Sequence, residues 1–134
     1  MPNTQAVGVA YSDPEFTTMY ASAEIGYAAG AQGAVTQLTS KSTGVTLNKS
    51  AGRITMSGVE LAANTAVSFT LTNSLISAND AIIVNVSGGG TAAAYTTYIS
   101  SMASGSAVIA LRNLTASALS EAVIINFATI HGAV

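Results

Sequence analysis

From residue 32 onward the chain is cut into short runs in which apolar and polar side chains alternate, each run ending in Gly, Asn, Asp or Ser. A period of two puts successive side chains on opposite faces of a pleated strand, whereas a helix needs a period near 3.6 held over ten or more residues. Residues 66–73 show the pattern most plainly. There Val67, Phe69 and Leu71 alternate with Ser68, Thr70 and Thr72, giving one face for a core and one for water. Residues 34–40, 45–47 and 53–57 repeat it around turn chemistry at 42–44 and 48–52, and are expected to form a meander. Residues 81–86 are apolar almost without a break, which suits a strand covered on both faces, and Gly88, Gly89 and Gly90 then end it in a flexible connection. Residues 94–102 and 107–113 flank Gly105 and Ser106 as a hairpin, 116–121 are compatible with one helical turn, and 122–131 supply a long closing strand.

About eight strands at roughly 8 to 12 residue spacing, without a long helix, predict an all-β fold. The expected architecture is a two-sheet β-sandwich, jelly-roll-like in strand count, with an immunoglobulin-like sandwich or a closed barrel as alternatives. The 134 residues suffice for one such core. Its surface is unusual. Four Lys plus Arg and six Asp plus Glu make up 7% of the chain, against about 25% in an ordinary soluble protein, so Ser, Thr, Asn, Ala and Gly must meet the water. A net charge of −2 without a basic cluster argues against a nucleic-acid partner. No apolar run reaches the roughly 18 residues of a spanning helix, so no membrane partner is expected. The first residues lack the basic and apolar regions of a secretory signal, and synthesis and initial residence in a cytoplasm are the expectation. A surface so poor in charge is expected to be covered in part by copies of the chain or by a partner.

Residues 1–31 read as an extended N-terminal arm, and 32–134 as the sandwich domain. The arm holds Asp13, Glu15 and Glu24, half of the acidic residues, and Tyr11, Phe16, Tyr20 and Tyr27, four of the aromatics. Either it packs along its own domain, or it docks on another subunit with Tyr11, Phe16 and Tyr20 as anchors, since buried aromatics dominate interface energetics. Arg53 and Arg112 are further candidate contacts in so uncharged a chain. Each either blunts a strand edge or pairs with an acidic group across an interface.

No catalytic residue, metal ligand set or cofactor is expected. His131 is the only histidine and no carboxylate stands near it in sequence to orient it. The absence of cysteine removes disulfides, thiolate zinc sites and thiol nucleophiles. Asp13 and Glu15 could touch a hard cation but lack the dense Asp and Asn loop of a strong calcium site. The triple glycine lacks the Lys and Ser or Thr of a phosphate loop. Six scattered acids leave a glycosidase pair open, but without tryptophan a stacking groove for sugars is poorly supplied. Tyr95 and Tyr98 fall on opposite faces of one strand, so one of them belongs to the core.

The run from Gly33 through Lys49 (GAVTQLTSKSTGVTLNK), followed by Gly52, Arg53, Ile54, Thr55 and Met56, resembles a segment of small virion proteins of tailed bacteriophages. The similarity continues through residues 66–73, 80–85 and 123–130, so it spans about residues 33 to 131. The same module is found in free-standing capsid decoration (cement) proteins and within larger tail or fibre proteins. With only a short arm before it and nothing after it in this sequence, the chain is expected to be the free-standing kind. What the resemblance implies is a jelly-roll-like sandwich without catalysis that binds the outer face of a capsid. Its partners would be the major capsid protein and copies of itself, as a homodimer or homotrimer. Its location would be the virion surface after synthesis in the bacterial host. The alternative is a tail-fibre or spike subunit, or a lectin-like module, that binds host-surface glycan. Residues 1–32 match no part of the pattern.

Overall fold

The computed structural model describes residues 16–132. Eight strands form in chain order: β1 (Gln32–Thr36), β2 (Val45–Thr46), β3 (Ala51–Thr55), β4 (Ala66–Thr72), β5 (Ala81–Gly88), β6 (Tyr95–Ala103), β7 (Ser106–Asn113) and β8 (Ile124–Ile130). A single 3-10 turn, Ala29–Ala31, precedes them. They pack as two four-stranded sheets, ordered β1-β3-β8-β5 and β2-β4-β7-β6. The all-β two-sheet sandwich is therefore the observed architecture. Each sheet has two open edges, so the barrel alternative does not apply.

The alternation that defines the strands also builds the core. On β4, Phe69 and Leu71 are buried while Ser68 and Thr70 face water, and on β8 Ile125 and Phe127 point inward. Ile54, Leu71, Ile109, Leu111, Val123 and Ile125 are sealed from solvent between the sheets. Each fully buried aliphatic side chain contributes about 1.5–3 kcal/mol of transfer free energy. Tyr95 joins this core while Tyr98 on the same strand is exposed. The β6–β7 hairpin forms as expected around Ser104 and Gly105, the glycine taking φ +80.

Four local expectations are overturned. The first three strands make no meander: β1 lies parallel to β3, and β2 belongs to the other sheet, parallel to β4. The chain crosses from one sheet to the other after each of the first five strands, and two crossings restore its direction. These parallel pairs also make both sheets mixed, a departure from an all-antiparallel jelly roll. Second, β5 is not covered on both faces. It is an edge strand whose outward residues are exposed, Ile83 by 56%, and whose inward Ile82, Val84 and Val86 are half-buried. Third, residues 116–121 form no helical turn. The chain bends at Ala116 and Ser117, and Leu119 bridges to Leu61. Fourth, the triple glycine is a close crossing rather than a loose connection. A side chain at Gly89, at φ +73, would meet the Ala122 carbonyl oxygen at 2.2 Å, and one at Gly90 would meet the Tyr95 ring at 2.8 Å.

Candidate functional site

Three sets of residues stand out once the fold is assembled: the arm, the two arginines and the buried polar side chains. Of the arm anchors, Tyr11 lies outside the described residues. Phe16 and Tyr20 are exposed, Tyr20 by 92%, together with Met19 and Ile25. Residues 16–28 contain no strand, and each is exposed. The segment meets the sandwich at Tyr27, whose hydroxyl donates to the carbonyl of Thr129 near the end of β8. Around that contact Ile25, Gly26, Tyr27, Ala128, Thr129, Ile130 and His131 line a shallow groove. Lys49 Nζ and Gln32 Nε2 hold the segment's end by donating to the carbonyls of Gly30 and Tyr27.

Arg53 and Arg112 are exposed, but neither occupies an edge, which overturns the edge-blunting reading. β3 runs between β1 and β8, and β7 between β4 and β6. Arg53 Nε donates to Asn126 Oδ1 at 3.4 Å, its cross-strand neighbour on β8, beside a depression also lined by Gln32, Gly33 and Gly52. Arg112 stands on the outer face of the other sheet, between Ala66 and Thr96. The two guanidinium groups thus face opposite sides of the sandwich, and one flat partner surface cannot take both.

The buried polar groups are invisible to a reading by alternation. Gln37 and Lys41, each 3% exposed, lie in the β1–β2 loop. Gln37 Nε2 donates to the Lys41 and Thr43 carbonyls, and its Oε1 accepts from Ser57 N. Lys41 Nζ donates to the carbonyls of Ser57 and Glu121, the latter at 2.5 Å. Burial pulls its pKa below the ordinary lysine value, and the Glu121 charge opposes that shift. The Glu121 carboxylate accepts from Thr91 N, Thr91 Oγ1 and Tyr95 Oη at 2.8–3.0 Å, and the Thr91 bonds lower its pKa. The same environment raises Tyr95 to about 12, first by burial and then by its bond to Glu121. Asn113, with no exposure, donates to the carbonyls of Leu61, Ala62 and Ser117 and accepts from Thr115 N and Oγ1.

At the other end of the sandwich Asp80 accepts from Ser77 N, Ser77 Oγ and Gly132 N, and pairs with His131 Nδ1 at 3.0 Å. These bonds, led by Ser77 N, hold its pKa down at about 2. His131 therefore does have an orienting carboxylate, supplied from 51 residues away. A histidine and an aspartate are two members of a hydrolytic triad, but no described hydroxyl bonds to the imidazole's Nε2, and its ring is half in solvent.

What this arrangement does chemically is restrain loops. The Lys41 ammonium is committed to two carbonyls and is no free nucleophile, and the two carboxylates with the most partners, Asp80 and Glu121, are committed to backbone and hydroxyl donors. They also cannot face each other across a cleft. Asp80 precedes the Ala81–Ile130 pair and Glu121 precedes the Gly88–Ile124 pair, opposite ends of the β5–β8 ladder, roughly 20 Å apart at strand rise. Among the described residues, no group of three or more His, Asp or Glu could hold a metal ion, and no helix is long and apolar enough to cross a membrane. Comparison of the chain with family models, with curated proteins and with solved structures finds no match in any of the three.

Proposed function

We propose that this chain is a structural virion protein, a decoration or cement protein. In this reading it binds the outer surface of a tailed-phage head and clamps subunits of the major capsid protein, with copies of itself as its second partner. The observation that carries the reading is the uncovered arm: Phe16, Met19, Tyr20 and Ile25 stand in water beside a sandwich whose own core is complete without them. Large apolar side chains on an extended segment gain most when they are buried in a neighbouring subunit. The resemblance over residues 33 to 131 supports the same reading, as does a surface built from Ser, Thr and Ala rather than charge. A protein that binds only the assembled shell stabilises that shell by mass action, with no chemistry required.

The glycan-binding alternative draws less support. Tyr98 is the one exposed aromatic among the described residues of the sandwich itself, since Phe69, Tyr95 and Phe127 are buried. A sugar platform with stacked rings needs more than one.

The test is co-sedimentation of the purified chain with phage heads that lack it, scored together with survival of the heads on heating. Saturable binding at a fixed ratio to capsid subunits, with more heat-resistant heads, is the expected result. A folded chain that binds no head and selects a glycan on an array overturns the reading.

A further inference from the structure

The two flanks of the sandwich are built differently, and the difference identifies a surface for a second copy of this chain. On one flank the edge strands are β1 and β2, of five and two residues. Short edges are one of the devices that keep sheets from pairing. Lys49 lies across this flank, its Cγ within 3.0 Å of where a side chain on Gly33 would sit. On the other flank the edges are β5 and β6, of eight and nine residues. Neither contains a charged residue or a proline. An edge of that length without a charge is an open row of backbone donors and acceptors.

The seam between the sheets is also incompletely closed there. Ile82, Val84 and Val86 of β5 and Ile99 and Met102 of β6 pack on the core yet remain half-exposed. Of the two edges β5 is the one fit to pair. The irregularity in β6 falls in mid-strand, between Ile99 and Ser101, whereas that in β5 falls at its end, between Val86 and Gly88. Residues 81–86 are left as a regular edge, and a bulge in the middle of a strand disrupts pairing.

We infer that two copies of the chain pair through β5, antiparallel about a two-fold axis, joining their β1-β3-β8-β5 sheets into one eight-stranded sheet. Antiparallel self-pairing is the arrangement a two-fold allows, because the same edge serves both partners. An axis perpendicular to the sheet at Ile83 keeps the outward residues on one face, with Ile83 opposite its own copy and Ala81 opposite Asn85. The exposed Ile83 side chains come side by side, and the half-exposed seam is covered. This deepens the self-association part of the proposed function. Its test uses the purified chain without heads, so a failure of self-pairing and a failure of head binding are read separately.

The chain has no cysteine, so a single introduced thiol reports the contact. Residues directly opposite across an antiparallel pair have Cα atoms about 4.5–5.5 Å apart, within the about 4.4–6.8 Å that a disulfide spans. The full-length wild-type chain is expected to be a dimer by light scattering. Ile83→Cys is expected to convert to a disulfide-linked dimer under mild oxidation. Thr36→Cys, exposed on β1 at the opposite flank, is expected to stay unlinked. Ile83→Lys is expected to give a folded monomer by circular dichroism and scattering, because the side chain it replaces is already mostly in water. A monomeric wild-type chain, a trimer, or equal cross-linking at positions 83 and 36 overturns the inference. Cross-linking of Ile83→Cys in a dimer that Ile83→Lys dissociates upholds it.

Discussion

The sandwich and the arm invert the usual placement of side chains in opposite senses. In the sandwich the buried residues include Gln37, Lys41, Asn73, Asp80 and Asn113, each with hydrogen-bond partners inside the fold. In residues 16–27 the exposed ones include Phe16, Met19, Tyr20 and Ile25. A buried polar group that is fully bonded marks a loop whose position is settled. An exposed row of large apolar groups is the surface that the proposed docking of the arm would bury. The loops of the body are held by bonds within the fold, and the arm is held only near Tyr27 and Gly30.

The largest effect should come from the body. Asn113→Ala removes three donated and two accepted hydrogen bonds at a fully buried side chain, and of the three carbonyls it served only those of Leu61 and Ser117 keep another donor, from Leu119 N and Thr115 Oγ1. A loss of about 3 kcal/mol in denaturant unfolding is expected. A loss below about 1 kcal/mol would mean that these loops hold themselves and that the contrast with the arm is overstated. Asp80 sharpens the same point through pH. Its folded pKa lies at about 2, below the ordinary 3.8, so its stabilising contribution is complete above about pH 4 and is lost as pH falls toward 2. The groups facing it are Ser77, Gly132 N and the His131 imidazole. Asp80→Asn should flatten the stability profile in that window relative to wild type, and parallel profiles for the two proteins would refute the assignment.

Deleting residues 1–25 should change the unfolding free energy by less than about 0.5 kcal/mol while reducing head binding at least about tenfold, a change of about 1.4 kcal/mol in binding. A truncated chain that fails to fold would place the arm in the body after all. The smallest effect is expected from Arg112→Ala, within about 0.5 kcal/mol of wild type, because the side chain is exposed and forms no ion pair among the described residues. An appreciable loss of head binding in that variant would instead assign the β2-β4-β7-β6 face to the capsid contact.

How much of this was legible in the sequence depended on whether the signal was local. β4 is plain because Val67, Phe69 and Leu71 share one face and Ser68, Thr70 and Thr72 the other, and the β6–β7 turn carries the glycine that its φ requires. β5 differs from the expectation because Ile83 and Val84 point to opposite faces and are both aliphatic, so the alternation is real but leaves no trace in hydropathy. The meander failed for a different reason. Adjacency along the chain favours hairpins, and nothing within residues 34–57 states that the next strand belongs to the other sheet. The restraining groups were equally hidden, since Asp80 and His131 lie 51 residues apart and Lys41 and Glu121 lie 80 apart. A lysine that ends up buried is spelled like one on the surface. The arm is the reverse case: composition sets it apart, and its described residues 16–28 contain no strand.

The position of β8 has a consequence for the order in which the molecule is made. It is the last strand in the sequence, yet it lies inside its sheet, between β3 and β5. As the chain is synthesised from its N-terminus, β3 and β5 have no common neighbour until residues 124–130 appear. Until then β5 is open along both sides, uncharged and aliphatic, although the β2-β4-β7-β6 sheet and the β1–β3 pair already have all their strands. Sheet closure must then occur late and in one step, over long sequence separations that slow folding. The nascent chain is consequently at its most adhesive just before residues 124–130 emerge, and a chaperone or a low synthesis rate should raise its soluble yield.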